Sequence, residues 1–299
     1  MIDQMSGLVG WAQRRTAEGV LETAGFLGAP AERIFGFVHV PSGRIRGSVL
    51  ICPPLLAETL VTYRSDVKLA ESLSASGCAV LRFHHRGSGH SDGLPQDASL
   101  DSLVDDALMA GDTLSEVSGR PIDVVVGTRI GATVAALAAV RLGVPRVALI
   151  APVLDPKAYF REVFRGHLLS EMKTRTKRLT INELERRLHE DGWVDILGYP
   201  LGAELVRSIG SLPLAQVLQP PLQSVLLAQI GTGQGEEASV EALSRELVHS
   251  GIRCSASTLP ISLAWWFGGG SFSRPQNEAA ASGVIDLVRA WLKQEIDVG

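Results

Sequence analysis

The amino-acid sequence predicts an α/β protein built on a mostly parallel, doubly wound sheet with a helical insertion, and three observations carry that expectation. Short apolar or β-branched runs alternate with segments of helical periodicity along most of the chain. The run Gly47 to Cys52 reads as a continuous apolar strand, as expected of a sheet covered on both faces. Three loops, at 53–60, 84–93 and 127–131, each follow a strand, and the carboxyl ends of parallel strands are where such sheets take ligands.

Taken in order, residues 1–33 are rich in small residues, with glycines interrupting weak helical signals and no role assigned. Ile34 to Val40 alternates as a strand, and Pro41-Ser42-Gly43 marks a turn toward the strand at 47–52, so the sheet is expected to open with a hairpin. Pro53-Pro54 ends that strand. Tyr63 to Ser76 carries Val67, Ala70 and Leu73 on one helical face and is closed by Gly77. Ala79 to Phe83 is the next strand, and Ser99 or Asp101 can cap a helix running to about Val117. Ile122 to Val126, a tight corner and an alanine-rich helix follow, then a strand from Pro145 to Ala151.

From Asp155 to about Pro213 the chain turns helical and charged, with no strong strand, and reads as an inserted cap. Strand signals resume at Leu222 to Ile230 and Ile252 to Leu259, and residues 278–295 close the chain as an amphipathic helix. The expected organisation is an N-terminal segment at 1–33, a core at 34–154 and 214–299, and a helical cap at 155–213.

With 299 residues, 45% of them hydrophobic, the chain can bury one large core. A net charge of -4 gives no general attraction to nucleic acid or to an anionic membrane. Cys52, Cys78 and Cys254 are widely separated and lack the spacing of a zinc site, so they are read as reduced thiols, with no metal and no cofactor expected. No uncharged run approaches the length of a membrane span, and no basic leader precedes an apolar stretch at the N-terminus. A cytoplasmic location is expected.

The corner Gly127-Thr128-Arg129-Ile130-Gly131 has the glycine spacing of the nucleophile elbow G-x-S-x-G. Its central position is an arginine, which stays protonated and cannot act as a nucleophile. Two readings of Arg129 follow. In one, it joins the backbone N–H groups of Ile130 and Leu55 and the start of the following helix in a site for a carboxylate, phosphate or enolate-like group. In the other, it pairs with a buried carboxylate of the same rim, Glu58 or Asp92, and ties loops together. His84 and His85 follow a strand, so their side chains are expected on opposite sides, with one available as an acid or base. Trp265 and Trp266 either wall an apolar pocket or pack as core. The basic run Lys173 to Arg178 reads as a solvated helix face or as an attractor of an anionic partner.

The order of these elements resembles the α/β-hydrolase superfamily over about residues 34–295. The loop RGSGHSDG at 86–93 looks like the stretch after the fourth strand in serine aminopeptidase-like members. CPPLLAET at 52–59, that loop and GTRIGA at 127–132 together resemble the exosortase A system-associated hydrolase 2 type, including arginine at the elbow. The resemblance implies a nucleophile at the elbow, an acid after a late strand and a histidine after the last strand. This sequence has Arg129 at the first position and Glu236 and Glu237 several residues late for the second. It has no histidine between 260 and 275. The expectation is therefore a small acyl or carboxylate-bearing ligand at a rim of Leu55, Glu58, His84, His85, Arg129 and Ile130, with proton-transfer or lyase-type chemistry in place of covalent acyl transfer. Two rivals stand beside it: a non-catalytic relative that binds a carrier or biosynthetic partner protein, and an ester or thioester hydrolase with an unorthodox nucleophile such as Cys52.

Overall fold

A computed structural model describes residues 8–171, 179–231, 234–259 and 274–296. The first three strands are β1 (Leu8–Arg15), β2 (Leu21–Leu27) and β3 (Ile34–Val40), followed by β4 (Gly47–Cys52), helix α1 (Glu58–Ala75) and β5 (Cys78–His84). Helix α2 (Leu100–Ser118), β6 (Val124–Thr128), α3 (Ile130–Leu142) and β7 (Arg146–Ile150) complete the first half. There follow α4 (Pro156–Glu171), α5 (Ile181–Asp191), β8 (Trp193–Ile196), β9 (Tyr199–Gly202), α6 (Ala203–Gly210) and the one-turn α7 (Leu214–Val217). The chain ends with β10 (Ser224–Ile230), α8 (Gln234–His249), β11 (Arg253–Leu259) and α9 (Arg274–Glu295).

Nine strands form one sheet in the order β1-β2-β3-β5-β4-β6-β7-β10-β11. β1, β2, β3 and β5 pair antiparallel, and from β5 to β11 every neighbouring pair is parallel. This is the mostly parallel α/β sheet that the alternation of elements predicts, with the topology that the α/β-hydrolase resemblance implies. Because side chains alternate along a strand, each central strand feeds two cores. Val49, Ile51, Val124 and Val126 pack with Leu69 and Leu73 of α1 and Val288 and Trp291 of α9. Leu50, Val125 and Leu149 pack on the opposite face with Leu103 and Val104 of α2 and the alanines of α3.

Three sequence expectations are corrected. The hairpin from β3 to β4 does not form, because β5 lies between them; the sheet's hairpins are β1–β2 and β2–β3. The weak helical signals in residues 1–33 give way to β1 and β2. Glycine obscures the strand pattern there, since Gly10, Gly25 and Gly36 stand in one cross-strand row. The charged stretch 155–213 is not free of strands: β8 and β9 form a hairpin turned at Leu197-Gly198, both at positive φ. Its alternating burial spans only four residues, too short to stand out from the helical surroundings.

Helix α2 begins as expected at Ser99, whose hydroxyl accepts from the Ser102 N–H while the Ser102 hydroxyl accepts from the Ser99 N–H.

Candidate functional site

β6 delivers the chain to a corner that only small residues permit. A Cβ on Gly127 would lie 2.2 Å from the Gly131 carbonyl oxygen, and one on Gly131 would lie 2.4 Å from the Pro53 carbonyl oxygen. Strand, helix and the end of β4 therefore touch backbone to backbone. At the tip, Arg129 has φ 56° and ψ -121°, outside the regions a residue with a Cβ ordinarily occupies. Its N–H donates to the Ile150 carbonyl at 3.0 Å, which ties the apex to β7.

The Arg129 side chain is buried and held from several directions. Its Nε donates to Glu58 Oε1 at 3.1 Å and its Nη1 to the Ala151 carbonyl at 3.1 Å. The other Glu58 oxygen, Oε2, accepts from the Tyr159 hydroxyl at 3.0 Å. The guanidinium carbon also stands 5.3 Å from the centre of the Tyr159 ring. Arg129 and Glu58 are each 6% exposed and Tyr159 4%, so the cluster is desolvated. Burial pushes the Glu58 carboxyl above its ordinary range even though Arg129 and the Tyr159 hydroxyl pull it down. Burial, then the neighbouring Glu58, raises the Tyr159 hydroxyl as well. Leu56, Arg129 and Ala151 all have positive φ, and this rim gathers three of the five such non-glycine residues among those described.

Of the two partners considered for Arg129, Glu58 is the one the structure brings to it. Asp92 is taken by Arg33, whose Nε donates to Oδ2 at 2.9 Å. Ile130, at the start of α3, is buried beside the apex, and Leu55 is half-buried in the loop after β4, packed against the core. Tyr159 was not anticipated from sequence. It opens the cap on the first turn of α4, and an aromatic pair after a Pro was the only signal available.

His84 and His85 diverge to opposite sides of the sheet. His84 sits among Phe35, Phe37, Tyr63 and His90, its ring stacked on His90 at 5.9 Å. His85 faces α2, its Nδ1 3.3 Å from Asp106 Oδ2. Asp106 is wholly buried and also accepts from the Arg86 N–H at 2.8 Å and from Arg86 Nε at 2.5 Å, which anchors the loop 86–93. The ring neighbours of His84 and the Asp106 contact of His85 therefore include none of Arg129, Glu58 and Tyr159. Cys52 is fully buried, and burial pushes its thiol far up, which opposes formation of a thiolate. Trp265 and Trp266 lie outside the described residues, as do the run 173–178 and the side chains of Glu236 and Glu237. Among the described residues no group of three or more His, Cys, Asp or Glu could hold a metal ion, and no helix is long and apolar enough to cross a membrane.

Burial, followed by the charge of Arg82, lowers the His84 imidazole to about 4. Burial likewise lowers His39, hydrogen-bonded to Arg82, to about 4. In the folded state both rings are neutral at pH 6, whereas an unfolded histidine gains its proton near pH 6.5. The unfolded chain therefore binds more protons between about pH 6.5 and 4, and stability that is complete above that window is lost as pH falls through it. Denaturant titrations across pH will show this fall, and His84→Gln will make it shallower; an unchanged slope contradicts the assignment.

A nine-stranded, mainly parallel sheet with a strained apex between β6 and α3 defines an α/β-hydrolase-fold protein. The family model for serine aminopeptidase, S33, matches residues 44–193, half of the chain, and the protein belongs to that family. Among solved structures, Est1E from Butyrivibrio proteoclasticus with bound ferulic acid is similar, with a TM-score of 0.60 and 16% identity over 89% of this chain and 98% of that one. A thermostable carboxyl esterase from Bacillus coagulans in complex with glycerol superposes with a TM-score of 0.57 at 12% identity, covering 90% and 98%. A putative hydrolase from Agrobacterium vitis S4 gives 0.56 at 16% identity, covering 91% and 98%. Likeness at this identity speaks for the fold. Among curated proteins, no sequence matches.

Proposed function

We propose that this protein binds a small acyl or carboxylate-bearing compound at the rim around residues 55–58 and 129–130 and does not transfer the acyl group to an elbow nucleophile. The observation that carries this reading is the identity and setting of the apex residue. The apex of the elbow, where a working motif carries a serine, is an arginine whose guanidinium is fixed by Glu58 and Ala151. Paired with Glu58 and buried, it supplies no electron pair with which to attack an acyl carbon. The missing histidine beyond 260 and the late Glu236 and Glu237 point the same way. The ferulic acid bound by Est1E and the carboxyl esterase among the similar structures fit an acyl or carboxylate compound as the ligand class.

The raised Glu58 carboxyl, hydrogen-bonded to Tyr159, favours proton transfer as the chemistry open to this rim. Such chemistry needs no covalent intermediate. The alternative of a non-catalytic relative, bound to a carrier or biosynthetic partner protein in the cytoplasm, draws on the resemblance to the exosortase A system-associated type. Hydrolysis through Cys52 is disfavoured by its burial.

The test is covalent. A fluorophosphonate probe will leave the protein unlabelled, and Arg129→Ser, which restores the motif's hydroxyl, will not gain turnover of p-nitrophenyl esters above the unmodified protein. Labelling at a serine that tracks ester turnover would defeat the proposal. Native mass spectrometry of the purified protein, with and without Arg129→Met, reads out any carried acyl or carboxylate ligand.

A further inference from the structure

A cavity of about 690 Å³ opens between α4, α5 and α6, within the size range of small-molecule sites. Its floor is apolar: Phe160, Phe164 and Leu188 are buried there, and half-buried Val206 continues the surface. Cations stand around this floor. Lys157 and Arg161 lie one turn apart on the same face of α4, both exposed, and neither has an ion-pair partner among the described residues. Arg207 faces them from α6, paired among the described residues with Glu204 in an exposed pair of the kind that contributes little. Glu185 is the single carboxylate of the lining. The chain as a whole carries -4, so this local excess of positive charge runs against the background.

From this combination we infer that the cap groove is a second binding site, taking an amphipathic carboxylate: an apolar tail against Phe160, Phe164 and Val206, and an anionic head between Lys157, Arg161 and Arg207. A neutral apolar compound would leave the cations without a counter-charge. A small hydrophilic anion would leave the floor wet. The enclosure by three helices favours a compact ligand over a protein surface. The groove shares no residue with the rim around Arg129, so the inference stands apart from the function proposed for that rim.

Sodium decanoate serves as the probe, with decanol and butyrate as controls, followed by calorimetry on the full chain. Decanoate is expected to bind more tightly than either control. The double variant Lys157→Glu/Arg161→Glu, on exposed positions, should weaken decanoate about tenfold or more while leaving decanol unchanged. Val206→Trp, which fills the groove from a half-buried position, should weaken both. A diazirine analogue of decanoate should label peptides spanning 156–171 and 203–211. The inference is overturned by decanoate binding that is indifferent to these variants or labels only 53–58 and 129–131. It is equally overturned by no binding, or by self-association of the chain through this face in light scattering.

Discussion

Arg129→Ala is expected to destabilise the fold by about 3–5 kcal/mol, the range for removing one member of a buried ion pair. The loss comes from Glu58, which is 6% exposed and would keep only the Tyr159 hydroxyl among its two strong partners. Backbone strain does not account for it, because alanine and arginine both carry a Cβ at φ 56°. Arg129→Gly separates the two effects. It removes the same guanidinium but relieves the positive φ, so it should be milder than the alanine variant by about 1 kcal/mol. pH offers an independent check. Burial already raises the Glu58 carboxyl, and loss of the cation raises it further, so the group becomes neutral at a higher pH in the variant. The deficit of Arg129→Ala should therefore be largest at neutral pH and shrink as pH falls toward the ordinary glutamate range. Denaturant midpoints at pH 5 and 7.5 measure this. Equal deficits at both would mean that Glu58 is not the group left stranded. Adding Glu58→Leu to Arg129→Met removes both charges and should recover much of the lost stability, since apolar replacement of a buried pair is often neutral.

Much of this site is legible in the sequence because its rules are local. The glycine spacing around Arg129 follows from the clearance between strand and helix, and it marks the corner without any knowledge of partners. The opposite orientation of His84 and His85 follows from strand geometry in the same way. What escapes is non-local. Tyr159 is 101 residues from Glu58 in the chain, and nothing in the periodicity of α4 distinguishes a tyrosine that caps a buried carboxylate from one that packs as core. The choice between Glu58 and Asp92 as the partner of Arg129 depended on whether another arginine claimed Asp92, and Arg33, 59 residues away, does so. β1 and β2 were hidden for a different reason. Their small residues and glycines suit close cross-strand packing but erase the alternation of large apolar side chains on which strand recognition rests.

Gly131→Ala should be nearly as damaging as loss of the apex charge, at about 3 kcal/mol, the upper part of the range for overpacking, because what it strikes cannot turn aside. The new methyl would approach the Pro53 carbonyl oxygen at 2.4 Å, the Cys52 carbonyl oxygen at 2.7 Å and the Pro53 carbonyl carbon at 2.8 Å. All three are backbone atoms at the end of β4, which is locked between β5 and β6 by parallel pairing, so relief requires α3 or the loop 53–57 to move. Gly143→Ala is the proper comparison. That residue stands at the opposite end of α3, just after its last residue and at φ 70°, but nothing lies within 4 Å of a Cβ there, so only conformational strain of about 1 kcal/mol applies. A denaturation midpoint for Gly131→Ala no lower than that for Gly143→Ala would show that β4 and α3 are not in contact as described.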